Sequence, residues 1–179
     1  MLDTVENVLG RMQGLLMQLR AGTRPVEPPG AVPVVEAIEA AIRAKRGLRP
    51  EPRLEVDPEL RHAAVLAHRD RLERVIGHLV QNAAEATPND GTIRVRLARE
   101  GELARIEVED NGKGMSEQFI REQLFKPFRS TKDHGMGIGA FESREYVREI
   151  GGALHVESRE NGGTIFRIRL PLALATAAG

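Results

Sequence analysis

From Leu2 to Leu19 apolar residues recur at alternating spacings of three and four: Leu2, Val5, Leu9, Met12, Leu16 and Leu19. This predicts a helix with a narrow seam of coiled-coil type, widened by Val8 and Leu15. Two readings of the seam stay open: a helix folded back on its own domain, or one half of a helical dimerisation hairpin. Gly22 and the run Arg24-Pro25-Val26-Glu27-Pro28-Pro29-Gly30 break the pattern, so residues 22–33 read as a hinge or linker. A helical period returns from Val34 to Arg46 (Val35, Ile38, Ala41, Ile42) and stops at Gly47 and Pro50.

Short strands are predicted near Arg53 to Val56 and Ala63 to Ala67. A helix follows, N-capped by Asp70, with Leu72, Val75, Ile76, Leu79, Val80 and Ala83 on its buried face. Pro88-Asn89-Asp90-Gly91 turns that helix into an alternating strand, Thr92 to Leu97, and Glu100-Gly101 turns this into another, Leu103 to Glu109, which delivers Asp110. Residues 112–137 hold no sustained period and read as a long loop, a length that in a compact domain points to function. A helix from about Ile138 to Ile150 and two strands, Ala153 to Ser158 and Thr164 to Leu170, complete an α+β two-layer sandwich with helices on one face of a mixed sheet.

Composition changes this picture little. Acidic and basic residues balance at 26 each, so net charge offers no argument for a nucleic-acid or anionic-membrane partner. Cysteine is absent, which removes disulfides, thiolate zinc sites and cysteine nucleophiles. No run approaches the ~20 apolar residues of a membrane span, and no basic-then-apolar leader opens the chain, so this segment is expected to be soluble and cytoplasmic, without membrane contact of its own.

Candidate chemistry lies in three constellations. Asn82 sits among apolar neighbours on its helix, where an amide must be hydrogen-bonded or hold an ion. Glu85, one turn on, reads as a solvated charge. Asp110 ends a strand before Gly112 and Gly114, which allow tight turns and the close approach of a flat ligand. A carboxylate there accepts from an exocyclic amine and would repel a phosphate, although Asp-Asn-Gly also suits an ordinary turn. Gly135, Gly137 and Gly139 lead into a helix whose bare N–H groups suit phosphate. The same string matches a dinucleotide fingerprint through Ala140, but the polar run Arg129 to His134 stands where that fingerprint needs a strand. Lys113, Lys126, Lys132 and Arg129 gather positive charge in the loop. His68-Arg69-Asp70 mimics a protein-kinase catalytic loop, yet Val75 stands where its metal-binding Asn is required. The histidines (His62, His68, His78, His134, His155) are scattered without metal-ligand spacing.

The succession Asn82, Asp110-x-Gly112-x-Gly114, Phe125-Lys126-Pro127-Phe128 and Gly135-x-Gly137-x-Gly139 resembles the four ordered boxes of the catalytic ATP-binding domain of sensor histidine kinases. That domain belongs to the superfamily of gyrase, the Hsp90 chaperones and MutL. Pro127 to Ala140 is most similar to the exosortase-associated (PEP-CTERM) branch. The resemblance implies a Bergerat-type ATP-binding fold over residues 34–175, with 1–21 as the second helix of a dimerisation and phosphotransfer hairpin and a possible homodimer contact. It implies ATP and Mg²⁺ as cofactors, with Asn82 on the metal and Asp110 on the adenine amine. Gly112 and Gly114 would line base and sugar, and Phe125 and Phe128 would anchor a movable lid. Gly135, Gly137 and Gly139 would approach phosphate, Lys132 would contact it, and Thr164 would support adenine through water. His78 stands where many of these kinases carry a first Asn. No histidine lies between Met1 and Arg20, so the phosphoacceptor is expected on a hairpin supplied elsewhere by a parent kinase, for which membrane anchoring stays open, with a response regulator downstream. A nucleotide-sensing interaction module without phosphotransfer is the alternative.

Overall fold

The computed structural model describes residues 2–23, 27–127 and 139–173, with the side chains of the first helix described over residues 5–17. Helix α1, Leu2–Thr23, runs past Gly22. Val5, Val8, Leu9, Met12, Leu15, Leu16 and Met17 are all exposed along it, so the described seam is not folded back on the domain. Strand β1, Gly30–Pro33, pairs antiparallel with β3, Ala64–Ala67, where the sequence had suggested linker. Pro33 ends the strand and α2, Val34–Ala44, begins at once, burying Val34, Ala37, Ile38 and Ala41.

The main sheet has the order β2-β4-β5-β7-β6, from β2 Arg53–Val56, β4 Ile93–Glu100, β5 Leu103–Asp110, β6 Ala153–Ser158 and β7 Thr164–Pro171. Among the described strands of this sheet only β2 and β4 run parallel. Along β4, β5 and β7 alternate residues are buried (Ile93, Val95, Leu97; Ala104, Ile106, Val108; Phe166, Ile168, Leu170), and they form one core with the inner sides of α2 and α3, Arg69–Ala86. Tyr146 and Val147 join it from α5, Ala140–Glu149. The helices thus cover one face of a mixed sheet, the α+β sandwich expected from the pattern.

Among the described residues the opposite face carries charge in place of a second layer. Glu107 is only 9 % exposed and lies between Arg167 Nε at 2.6 Å and Arg105 Nε at 3.3 Å. Arg94 and Arg96 reach Glu55, and Arg169 reaches Glu100.

Two local expectations are corrected. The N-cap of α3 is His68; Asp70 already lies in the first helical turn, where its charge complements the helix end without making a cap bond. Within the expected loop, Ser116 Oγ accepts from Phe119 N at 3.1 Å and caps a helical turn, α4 (Glu117–Phe119), which widens into a π-type turn over Ile120–Leu124. So short a helix shows no apolar period. His68 does further work: its Nε2 lies 2.7 Å from the Glu27 carbonyl and its backbone N–H donates to the Tyr146 hydroxyl at 2.8 Å. Glu27 is thereby tied to α3 and, through His68, to α5.

Candidate functional site

Asp110 ends β5 with its side chain on the helix-covered face and only 6 % exposed. Gly112 N–H donates to its Oδ1 at 2.9 Å. Burial pushes its pKa up, the neighbouring Glu109 charge adds to this, and the N–H groups of Gly112 and Thr164 oppose both. Beside it the buried Thr87 hydroxyl donates to the Ala83 carbonyl at 2.6 Å. A carboxylate oxygen has two lone-pair sites, four for the group, and the Gly112 N–H bond leaves capacity for a ligand that donates.

The glycines are required by space. A Cβ on Gly112 would lie 2.2 Å from the Ala86 carbonyl oxygen. On Gly114, at φ +67°, it would lie 1.7 Å from the Arg159 carbonyl oxygen. This close approach lets Lys113 N–H donate to Ala86 O at 3.0 Å, while Asn161 N–H donates to Lys113 O at 2.6 Å. The loop after β5 is so clamped between the end of α3 and the β6–β7 turn.

Asn82 projects from α3 one turn before Ala86. Its Nδ2 lies 3.0 Å from His78 Nε2. An amide NH₂ only donates, so the ring nitrogen accepts and the amide oxygen is the atom suited to a hard cation. Gly139 is the residue immediately before α5, with its carbonyl accepting from Ser143 N–H at 3.1 Å. Phe125 packs partly buried against the core, and the Arg144 guanidinium of α5 stands 4.3 Å over its ring. The base of the loop is in this way fixed to the helix that follows it.

Register joins the far side. Thr164 is Asp110's direct partner across β5 and β7, and Ser158 is Thr164's across β7 and β6. Asp110, Gly112, Gly114 and Thr164 therefore form one cluster, linked through Ala86 to the helix that carries Asn82. Phe125 and Gly139 are linked to each other through α5. Phe128, Lys132, Gly135 and Gly137 lie outside the described residues. Sequence reading missed Ser158 and Arg144. Ser158 carried one usable sign, since it continues the buried parity of Leu154 and Val156 with a polar side chain; Arg144 carried none.

The donor set fits a nucleotide: a buried acceptor, backbone that only glycine lets approach, an amide oxygen and a helix start. Residues 67–174 match the sequence family described as histidine kinase-, DNA gyrase B-, and HSP90-like ATPase. The C4-dicarboxylate transport sensor protein DctB of Rhizobium meliloti (strain 1021) is 33% identical over 179 residues, which cover 96% of this chain and 28% of that protein. The chain thus spans under a third of the length of the relative it matches. The nucleotide-free catalytic domain of histidine kinase ThkA superposes with a TM-score of 0.68 at 30% identity, covering 82% of this chain and 96% of that one. ThkA in complex with response regulator protein TrrA gives a TM-score of 0.68 at 26% identity, over 95% of this chain and 50% of that one.

Proposed function

Since this chain belongs to the histidine kinase-, DNA gyrase B-, and HSP90-like ATPase family, we propose that it is the catalytic ATP-binding part of a two-component sensor histidine kinase, which presents the γ-phosphate of Mg-ATP to a histidine on a hairpin of the parent protein. The observation that carries this reading is the Asp110 carboxylate, buried and framed by Gly112 and Gly114, on the end of a strand that pairs with Thr164.

Asp110 accepts the 6-amino group of the base, and the backbone at Gly112 and Gly114 passes along base and sugar. The start of α5 at Gly139, preceded by Gly135 and Gly137, offers N–H groups and a positive helix end to the phosphates. Lys132 adds charge there, and Phe125 and Phe128 anchor the intervening lid. Asn82 holds Mg²⁺, which when bound would offset phosphate charge. Phosphoryl transfer asks little covalent chemistry of a protein, so these residues act by positioning and neutralisation.

The exposed stripe of α1 fits the second helix of the dimerisation hairpin, paired with its hairpin mate and with a second copy. The complex of ThkA with its response regulator supports a response regulator downstream of this chain as well. The setting is cytoplasmic, in a parent protein that could be anchored in a membrane; among the described residues no helix is long and apolar enough to cross one. The His78–Asn82 contact favours a second reading, in which nucleotide alters association without phosphotransfer. Mixing this chain with the parent's hairpin and γ-labelled ATP separates the two. Label on the hairpin histidine supports the kinase; nucleotide-dependent association without label supports the sensor. ATP-independent behaviour in both assays overturns both.

A further inference from the structure

Across the helix-facing side of the sheet, Leu97, Ile106, Ile168 and Leu154 form an apolar rung. Val95, Val108, Phe166 and Val156 form one rung, and the next outward is Ile93, Asp110, Thr164 and Ser158. Three polar side chains occupy core parity there, with Asp110 and Thr164 at 6 % and 5 % exposure. Asp110 and Thr164 have roles in the reading above. Ser158 has none.

The Ser158 hydroxyl makes three contacts. Met115 N–H donates to its Oγ at 2.8 Å. Its Oγ lies 2.9 Å from the Gly163 carbonyl oxygen and 2.7 Å from Thr164 Oγ1. A hydroxyl has one proton and two lone pairs. A carbonyl oxygen only accepts, so the Ser158 proton goes to Gly163. Met115 takes one lone pair, and the remaining contact is closed when Thr164 donates its own proton to the other. Thr164 Oγ1, its proton committed, has only lone pairs left to offer a ligand.

We propose that Ser158 is a positioning residue for base selectivity: by holding the Thr164 proton it makes Thr164 an acceptor beside the Asp110 carboxylate, so that this rung takes a 6-amino purine nucleotide and rejects a 6-oxo one. This rests on the reading of Asp110 and Thr164 as the base-binding end, with Thr164 meeting the base directly where the family resemblance implied a water between them. A 6-amino group brings donors to two acceptors. A 6-oxo group brings lone pairs against lone pairs, and a site built for a donor discriminates strongly against a ligand that lacks it. Without Ser158 the Thr164 hydroxyl can turn and donate outward, which would relieve the clash with a 6-oxo oxygen.

The test is calorimetric titration of ADP and inosine diphosphate, which differ at position 6 of the base and in the proton on N1. The readout is the ratio of the two dissociation constants, for the unaltered chain and for Ser158→Ala, Ser158→Thr, Thr164→Val and the Ser158→Ala/Thr164→Val pair. The expected result is a ratio that falls about tenfold in Ser158→Ala, returns in Ser158→Thr, and falls no further in the double variant than in Thr164→Val, because the two residues act as one unit. A Ser158→Ala protein that loses affinity for both nucleotides equally, with the ratio unchanged, overturns the proposal and leaves Ser158 as a brace for the loop. Should Ser158→Ala not fold, Thr164→Val against Ser158→Thr still decides, since the proposal requires a lowered ratio in the first and an unaltered one in the second. No ADP binding by the unaltered chain overturns the base-site reading itself, an outcome distinct from an unchanged ratio.

Discussion

Replacing Asp110 by Asn keeps shape and removes charge, and its effects on binding and on stability should have opposite signs. In the carboxylate, Gly112 N–H holds Oδ1 at 2.9 Å, and the Thr164 N–H also favours the charged form. An Asn has a single oxygen, which the Gly112 N–H would claim, and its NH₂ would then face the amine of the base, donor against donor. The loss of one charge-assisted bond is about 1.5–3 kcal/mol, roughly ten- to a hundredfold in dissociation constant. Stability without nucleotide moves the other way. Burial raises the Asp110 pKa above its ordinary 3.8, so the folded state binds a proton more tightly than the unfolded state. The stability linked to that proton is fully present below pH 3.8 and is lost as pH rises through the folded value. Asp110→Asn carries no charge to desolvate, so its advantage should be absent in acid and complete near neutrality. Calorimetric titration with ADP and thermal melts from about pH 4 to neutrality measure both effects. Unchanged ADP affinity would refute the base-binding role, and a variant less stable than the parent at neutral pH would refute the burial argument.

Gly114→Ala forces an L-residue to φ +67° and sets a Cβ 1.7 Å from the Arg159 carbonyl oxygen, backbone that cannot swing aside. The left-handed conformation alone costs about 1–2 kcal/mol, so urea melts should show at least that loss together with loss of ADP binding. Gly10→Ala, with nothing within 4 Å of its Cβ, should be neutral or slightly stabilising. Glu107→Ala removes the shared partner of Arg105 and Arg167 on the open sheet face and should cost about 1–3 kcal/mol in the same assay. Glu59→Ala breaks a pair whose carboxylate is 57% exposed and should stay within about 0.5 kcal/mol.

The helices and strands were legible because each buries one face, and that burial writes a period into the chain. Leu72, Val75, Ile76, Leu79, Val80 and Ala83 are all buried as their spacing predicted. β2 matches its predicted span residue for residue, and β6 does likewise. Elements too short to repeat a period were not legible. Strand β1 was hidden among prolines and glycine, and the turn at Glu117–Leu124 within a long polar stretch. The N-cap went to His68 over Asp70 because its ring and amide are engaged by Glu27 and Tyr146, partners distant in sequence.

By itself the sequence determined the layer architecture, the place of Asp110 at a strand end and the order of the glycine clusters, since these depend on local periodicity and on residues with unusual backbone freedom. Only the tertiary structure decided register. Register is a relation between strands that no single strand encodes, and it sets Asp110, Thr164 and Ser158 side by side on one rung. It also decided which carbonyl each glycine must admit, Ala86 for Gly112 and Arg159 for Gly114, contacts between segments far apart in the chain. The direction of the hydrogen bond between Ser158 and Thr164 follows from that assembly alone, because a hydroxyl has one proton and its neighbours determine where it goes.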